Sequence, residues 1–292
     1  MHAHEADIPV ALVRTLVDTQ FPRYAAERLA PVQSAGTDNT LFRLGSDLVI
    51  RLPRVASAVE QIEREQTWLP RLATGLPLRI PEPVAVGRPA DGYPWSWSIY
   101  RWISGEEATR ESLGDLDDAA ETLAAFIRAL RSLDTTDGPV PGFGRGRLLR
   151  DRDGPTRAAI AQLGQGWDAR MLLGLWDEML ALPDWTTPAV WVHADLRPGN
   201  LLSRDGSLCA VIDFGSIGVG DPAADLIIAW NLFAARSRRR FLSAVGCEDA
   251  VRLRGAAWAY SIALVALPYY RETNRDLAGI SAYTIREVLS EW

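Results

Sequence analysis

Between Trp191 and Gly215 the chain reads WVHADLRPGNLLSRDGSLCAVIDFG. His193-x-Asp195 is followed by Asn200 and then, at the end of an apolar run, by Asp213-Phe214-Gly215. These residue types suit one reaction. A hydroxyl attacking a γ-phosphoryl group must be oriented and relieved of its proton, while the charge spread over the phosphoryl oxygens is held in place. Asp195 suits the first task. For the second, Asn200 offers a neutral amide oxygen and Asp213 a hard anionic one, the ligand chemistry that Mg²⁺ prefers.

Leu201-Leu202 and Ala210-Val211-Ile212 read as two short strands with Asp205-Gly206 as the turn between them. That hairpin predicts Asn200 and Asp213 at neighbouring strand ends, facing one metal site. A lone His-x-Asp or Asp-x-Gly is commonly a turn or a helix cap. All four residues in this order and spacing match a catalytic loop followed by a metal loop. Of the three histidines, His2 and His4 lie in the initiating tail, which leaves His193 for the motif.

His193-Ala-Asp195-Leu-Arg-Pro-Gly-Asn200, Ile212-Asp213-Phe214-Gly215 and Gly220-Asp221-Pro222-Ala-Ala-Asp225-Leu226 together resemble the aminoglycoside phosphotransferase family, which includes macrolide and other small-molecule kinases. Protein kinases are less similar. They carry Arg where this chain has Ala194, and they close their activation segment with Ala-Pro-Glu, a triplet absent after Gly215. The resemblance implies an α+β, protein-kinase-like bilobal fold, with a small antiparallel sheet plus helix in the N-lobe and a mainly helical C-lobe. It implies catalytic roles for Asp195, His193 and Arg197, metal ligation by Asn200 and Asp213, and bracing of the catalytic loop by Asp221 and Asp225. Asp225 would begin a helix and could also cap it. ATP or GTP with Mg²⁺ would be the cofactors, and a hydroxyl of a small molecule the acceptor.

The elements that must position these residues divide into an N-terminal nucleotide-binding lobe, residues 1–103, and a catalytic and acceptor-binding lobe, 104–292. Val10, Val13 and Leu16/Val17 share one face of a helix preceded by Asp7. Pro31 to Ala35, Asn39 to Leu44 and Asp47 to Leu52 read as strands, and Ser57-x-x-Glu60 as a capping box opening a helix through Ile62, Glu65, Leu69 and Leu72. Strands are predicted at Pro83 to Gly87 and Ser96 to Ile103. The second lobe shows Leu116, Leu123, Phe126/Ile127 and Leu130 at helical spacing. Further helices are expected at Thr156 to Leu163, Asp168 to Leu182, Asp225 to Arg236, Ala250 to Leu267 and Ser281 to Leu289. The Pro- and Gly-rich stretch Asp137 to Gly146 is either a lining of the acceptor site or a plain surface loop.

Nucleotide handling is where the chain departs from its resemblance. Gly36 and Thr37, in the loop between the first two strands, would cover the phosphates with backbone N–H groups, or simply turn a hairpin. The third strand of a kinase-like fold presents Lys to the phosphates, but this chain contains no lysine, and Arg51 is the charged residue at that strand's centre. Arg is a planar fork and Lys a point charge, so the two do not exchange freely. Glu65 is the first candidate to pair with Arg51 and Glu63 the second. Tyr100-Arg101-Trp102-Ile103 would join the lobes and meet the base, with Tyr100 and Trp102 as contacts. Of the cluster Trp95, Trp97, Tyr100 and Trp102, core packing is expected for Trp97 and considered for Trp102.

A net charge of −6 argues against nucleic acid as a partner. Arg236-Ser-Arg238-Arg239-Arg240 is the one basic cluster, expected on the solvated side of a helix. The start lacks a secretory pattern, and Ala256 to Leu267 is too short to span a bilayer and is ended by Pro268, so no membrane is expected. Cys209 and Cys247 cannot form a disulfide framework, Cys209 reads as an apolar filler in a buried strand, and a cytoplasmic setting follows. Composition leaves monomer and dimer both open.

An aminoglycoside-type acceptor would need an acidic cleft, with Glu178, Asp184, Glu272 and the carboxylates near Trp292 as generic candidates. A macrolide would need a broad apolar pocket, which eleven tryptophans permit. A choline- or sugar-like metabolite is a third acceptor. The aminoglycoside-type reading is the one carried forward. The missing lysine raises a rival of another class, a nucleotide-binding pseudokinase module, which intact Asp195, Asn200 and Asp213 oppose.

Overall fold

The computed structural model describes residues 6–33, 38–164 and 166–292. Helix α1 (Val10–Gln20) leads into five antiparallel strands: β1 (Leu29–Val32), β2 (Asn39–Leu44), β3 (Leu48–Pro53), then, after helix α2 (Val59–Leu72), β4 (Pro83–Gly87) and β5 (Trp97–Arg101). The sheet order is β1-β2-β3-β5-β4, which puts β3 at the centre. Alternation of side chains along β3 sorts its residues between two faces. Leu48, Ile50 and Leu52 pack with Phe42, Leu44, Trp97 and Ile99 under Val13, Leu16 and Val17 of α1. Arg51 points the other way, toward α2.

Helix α2 carries Ile62, Glu65, Leu69 and Leu72 on its buried face, as their spacing predicts. Its start differs from expectation. A 3-10 turn, Ala56–Ala58, already feeds the chain into the helix, so Ala58 is the N-cap and Ser57 forms no capping box. Leu69 and Leu72 belong to the large core of the helical lobe, so α2 joins the two lobes mechanically as well as covering the sheet.

Beyond the short strand β6 (Glu106–Glu107) come α3 (Leu116–Arg131), α4 (Asp153–Gln162), α5 (Ala169–Leu180), β7 (Val190–Val192), β8 (Leu201–Arg204), β9 (Ser207–Val211) and β10 (Gly218–Gly220). Then follow α6 (Ile228–Asn231), α7 (Ala235–Val245), α8 (Asp249–Tyr270) and α9 (Arg275–Leu289). Side-chain caps fix several starts: Asp115 accepts from the Asp117 and Asp118 N–H groups, Asp168 from Arg170 and Met171, and Asn274 from Leu277. The β8–β9 turn has positive φ at both Asp205 and Gly206, as a tight primed hairpin requires.

Four expectations need correction. The helix predicted over Asp225 to Arg236 is a 3-10 segment, Pro222–Ile227, then α6, then α7, because the chain turns at Leu232 and Phe233 to bury both. Helix α8 continues through Pro268 to Tyr270. It is long and apolar enough to cross a membrane, but 67% of its apolar window is buried, as befits a core helix. Within the basic cluster, Arg238 is not solvated: it is wholly buried and ion-paired with Glu287 (2.8 Å) and Glu291 (2.7 Å), tying α7 to α9. Cys209 is half-buried and lies beside the Ser104 carbonyl, because its strand runs along the lobe junction and is not enclosed in the core.

Candidate active site

The β8–β9 hairpin does what its sequence predicts. Leu201 pairs with Val211, and the Ile212 N–H donates to the Asn200 carbonyl at 2.9 Å, so Asn200 and Asp213 leave the hairpin side by side. Both Ala194 and Asp213 have left-handed backbone, φ 64° and 65°. Each such residue costs about 1–2 kcal/mol and persists only where its surroundings enforce it. Asp225 provides that enforcement at Ala194: its carboxylate accepts from the His193 N–H (3.0 Å) and the Ala194 N–H (2.8 Å). Asp225 lies inside the 3-10 segment rather than at a helix start, and the cap is Asp221, which accepts from the Ala223 N–H. Burial pushes the Asp225 carboxyl up, against the downward pull of His193 and the two N–H groups. Ala194 itself is fully buried against Val192 and Ala224, which leaves no room for the Arg of a protein kinase.

His193 sits beneath the site. Its ring is fully buried and stacks edge-on against Phe214 with centroids 4.6 Å apart. Nδ1 accepts from the Asp195 N–H (3.2 Å), which leaves Nε2 to donate to the Ile212 carbonyl (3.1 Å). The imidazole thus latches the two loops together and does not reach the cleft. Asp195 does reach it. Asn200 Nδ2 donates to the Asp195 carbonyl (2.8 Å) and to Oδ2 (3.1 Å), and Arg197 Nε lies 3.8 Å from Oδ2. Arg145 NH1 donates to Asp195 Oδ1 and to the Ala194 carbonyl (2.9 Å).

On the opposite wall, Arg51 is buried and meets four partners. NH1 donates to Glu65 (2.7 Å), while NH2 donates to Gln61 (3.0 Å) and Asp213 (2.8 Å). With its amide oxygen turned toward the guanidinium, Asn39 accepts from Nε at 3.1 Å. Glu63 is exposed and takes no part. Burial alone would lower the Arg51 pKa, but Glu65 and Asp213 hold it well above its ordinary value. Burial would likewise raise the Asp213 carboxyl, but Arg51 first, then Arg197 and His193, keep it below the ordinary carboxylate range. The Tyr100 hydroxyl donates to the second oxygen of Glu65, and burial followed by that carboxylate pushes the phenol up. A Cβ on Gly215 would lie 2.8 Å from Gln61, so glycine is what lets the Asp213 loop approach α2.

The lobe-joining segment differs from expectation. The Arg101 N–H is bonded to the Glu82 carbonyl (2.9 Å) and the Trp102 N–H to the Asp47 carbonyl (2.7 Å), so neither donor is left for a base. The Trp102 ring is half-buried under the Arg43 guanidinium, 4.1 Å from its centroid, whereas Trp97 is core. Gly36 and Thr37 lie outside the described residues.

A sequence model of the phosphotransferase enzyme family (APH) matches residues 30–258 of the chain. The chain belongs to that family. The uncharacterized protein YcbJ of Bacillus subtilis (strain 168) is 24% identical over 263 residues, covering 80% of this chain and 82% of its own. The GDP complex of wild-type aminoglycoside 2'-phosphotransferase-IIIa superposes with a TM-score of 0.77 at 20% identity, covering 97% of this chain and 99% of that one. The apoenzyme of macrolide 2'-phosphotransferase MphH from Brachybacterium faecium gives 0.63 at 21% identity, over 95% and 98%. The solved structures show the kinase-like α+β fold, and the family match makes the chain a phosphotransferase.

In this phosphotransferase the two walls enclose a cleft of about 780 Å³. Around Arg51 its lining includes Val32, Val49, Ile103, Leu202 and Ile212. Its far end is walled by Ala259, Ile262, Ala263, Ala266, Tyr269 and Tyr270 of α8 with Leu277, Ile280, Ser281 and Thr284 of α9. Glu178, Asp184 and Glu272 are not part of the lining: Glu178 accepts from the Trp292 indole, Asp184 pairs with Arg150, and Glu272 is exposed. Near Trp292, Glu291 is taken by Arg238. Asp221 braces a different joint from Asp225. Arg254 of α8 grips its carboxylate with two bonds (2.8 and 3.1 Å), and its N–H donates to the Gly146 carbonyl. Arg145, Arg254 and Gln61 escape the sequence reading. Only Arg145 left a trace there, as a cation in the Pro- and Gly-rich stretch considered for the acceptor site.

Proposed function

We propose that this phosphotransferase moves the γ-phosphoryl group of ATP or GTP to a hydroxyl of a small molecule whose body is largely apolar. The observation that carries the acceptor class is the α8–α9 wall: eight of its ten lining residues are aliphatic or aromatic, and the other two, Ser281 and Thr284, spend their hydroxyls on the Leu277 and Ile280 carbonyls of their own helix. A polycation would leave its charges facing carbon there, whereas an apolar body gains roughly 25 cal/mol for each Å² it buries. A second reading, an aminoglycoside-type acceptor, draws support from Glu106 and Glu107, which also line the cleft.

The chemistry follows from the residues. Asp195 accepts the hydrogen bond of the acceptor hydroxyl and takes its proton as the new P–O bond forms. Arg51 and Arg197 bring positive charge to the phosphate oxygens, with Arg51 kept in place by Glu65, Gln61 and Asn39. Asn200 and Asp213 fit Mg²⁺: with Nδ2 spent on Asp195, Asn200 has its amide oxygen to offer, and Asp213 retains Oδ2 while Arg51 binds Oδ1. Bound there, the ion would neutralise charge on the phosphates. His193 and Asp225 act as positioning residues for Asp195. Ile103, which lines the cleft, would meet the base, and residues 1–103 form the nucleotide-binding part, 104–292 the catalytic and acceptor-binding part. The free cysteines support a cytoplasmic setting.

A phosphorylation screen tests this reading, with macrolides, aminoglycosides and hydroxylated metabolites as acceptors and ATP and GTP run side by side. Turnover is expected with apolar-bodied acceptors. Turnover confined to aminoglycosides would overturn the acceptor class, and nucleotide binding without transfer to any acceptor would return the pseudokinase module.

A further inference from the structure

The Asp195 carboxylate is engaged on both oxygens, by groups of very different standing. At Oδ2 the donor is Asn200, which is 2% exposed and uses the same nitrogen to hold the Asp195 carbonyl, so this bond belongs to the frame of the loop. At Oδ1 the donor is Arg145, which comes from a separate stretch of chain and whose side chain is 22% exposed. The backbone around Arg145 is pinned: the Val219 N–H donates to the Pro139 carbonyl (2.7 Å), the Asp221 N–H to the Gly146 carbonyl (3.0 Å), and Arg64 of α2 to the Val140 carbonyl (2.7 Å). What can move is therefore the Arg145 side chain, anchored at the site only through NH1.

An acceptor hydroxyl has to donate to Asp195, and Oδ1 is the oxygen facing a displaceable partner. We propose that Arg145 is a positioning residue that occupies the acceptor's place on Asp195 until an acceptor displaces it, and so keeps the nucleotide-loaded enzyme from phosphorylating water. This rests on the phosphotransfer reading given above. In the suppressed reaction a water oxygen would bond to the γ-phosphorus and the β,γ-bridging P–O bond would break. The nucleoside diphosphate would leave, and the water proton would pass to Asp195.

Hydrolysis of Mg²⁺·ATP without any acceptor tests the proposal, in wild type, Arg145→Ala, Arg145→Lys and the double variant Arg145→Ala with Asp195→Asn, each with its nucleotide affinity measured. Arg145→Ala should raise hydrolysis roughly tenfold, the size that one charge-assisted hydrogen bond supports. Arg145→Lys, which keeps a long cationic donor, should stay near wild type, and the double variant should fall to wild type or below. Hydrolysis in Arg145→Ala that is unchanged or lower, or a rise that survives in the double variant, overturns the proposal. Should Arg145→Ala fail to fold, Arg145→Met keeps an aliphatic stem without a hydrogen-bond donor and carries the same expectation. Wild type that binds no nucleotide overturns both this proposal and the reading beneath it. Wild type that binds and transfers, with no gain in the variant, overturns this one alone.

Discussion

On the nucleotide side of the cleft a single guanidinium, Arg51, meets Glu65, Gln61, Asp213 and Asn39, and nearly every polar atom has a partner. At the α8–α9 end, Ile262, Ala263, Ala266 and Ile280 present carbon, and Arg145 reaches in from a loop to touch Asp195. On the function proposed above, the polar wall recognises one fixed chemical group, a triphosphate, and its geometry is over-determined by cross-bonds. The apolar wall recognises by shape and area, which many side-chain sets can satisfy. The first wall therefore announces itself in types and spacing, and the second does not.

The comparison can be broken in four places. Asp195→Ala, at the seam between the walls, should cut kcat by about a thousandfold or more while nucleotide affinity stays within a few-fold; unchanged turnover would remove Asp195 from its role. Arg51→Ala strands the buried Glu65 and should cost about 3–5 kcal/mol of stability, read by denaturant unfolding. Arg51→Lys should recover less than half of that, because an ammonium cannot bond Glu65, Gln61 and Asn39 in the same plane. Full recovery would show that the fork is not required. Ile262→Asp, on the opposite wall, should raise the acceptor KM roughly tenfold or more and leave the nucleotide KM alone, since it places a charge against an apolar ligand. An improved KM for aminoglycosides in that variant would instead favour the second reading of the acceptor. Tyr100→Phe removes one bond to Glu65 and should cost only about 0.5–1.5 kcal/mol. A larger loss would mean that the phenol supports the position of Arg51.

The legible parts share a physical cause. The hairpin from Leu201 to Val211, the alternation in β3 and the buried stripe of α2 are local, and their period shows in a few residues. The Ser57 capping box failed because a 3-10 turn satisfied the same helix start first. The helix expected over Asp225 to Arg236 failed because tertiary demands, burying Leu232 and Phe233 and committing Asp225 to the catalytic loop, outweighed local propensity. Arg238 looked solvated because its partners, Glu287 and Glu291, lie about fifty residues away.

That Asn200 and Asp213 leave one hairpin side by side, with Asp195 next to them, was set by the sequence alone, since hairpin geometry restricts spacing. The same holds for Arg51 as the only kind of cation a lysine-free chain can place on β3. Tertiary structure decided the rest. It made His193 a latch between loops, gave Arg51 its four partners, walled the far end of the cleft with α8 and α9, and brought Arg145 from fifty residues away onto the Asp195 carboxylate. Contacts of that kind join segments with no common period, and only the folded chain puts them within reach of one another.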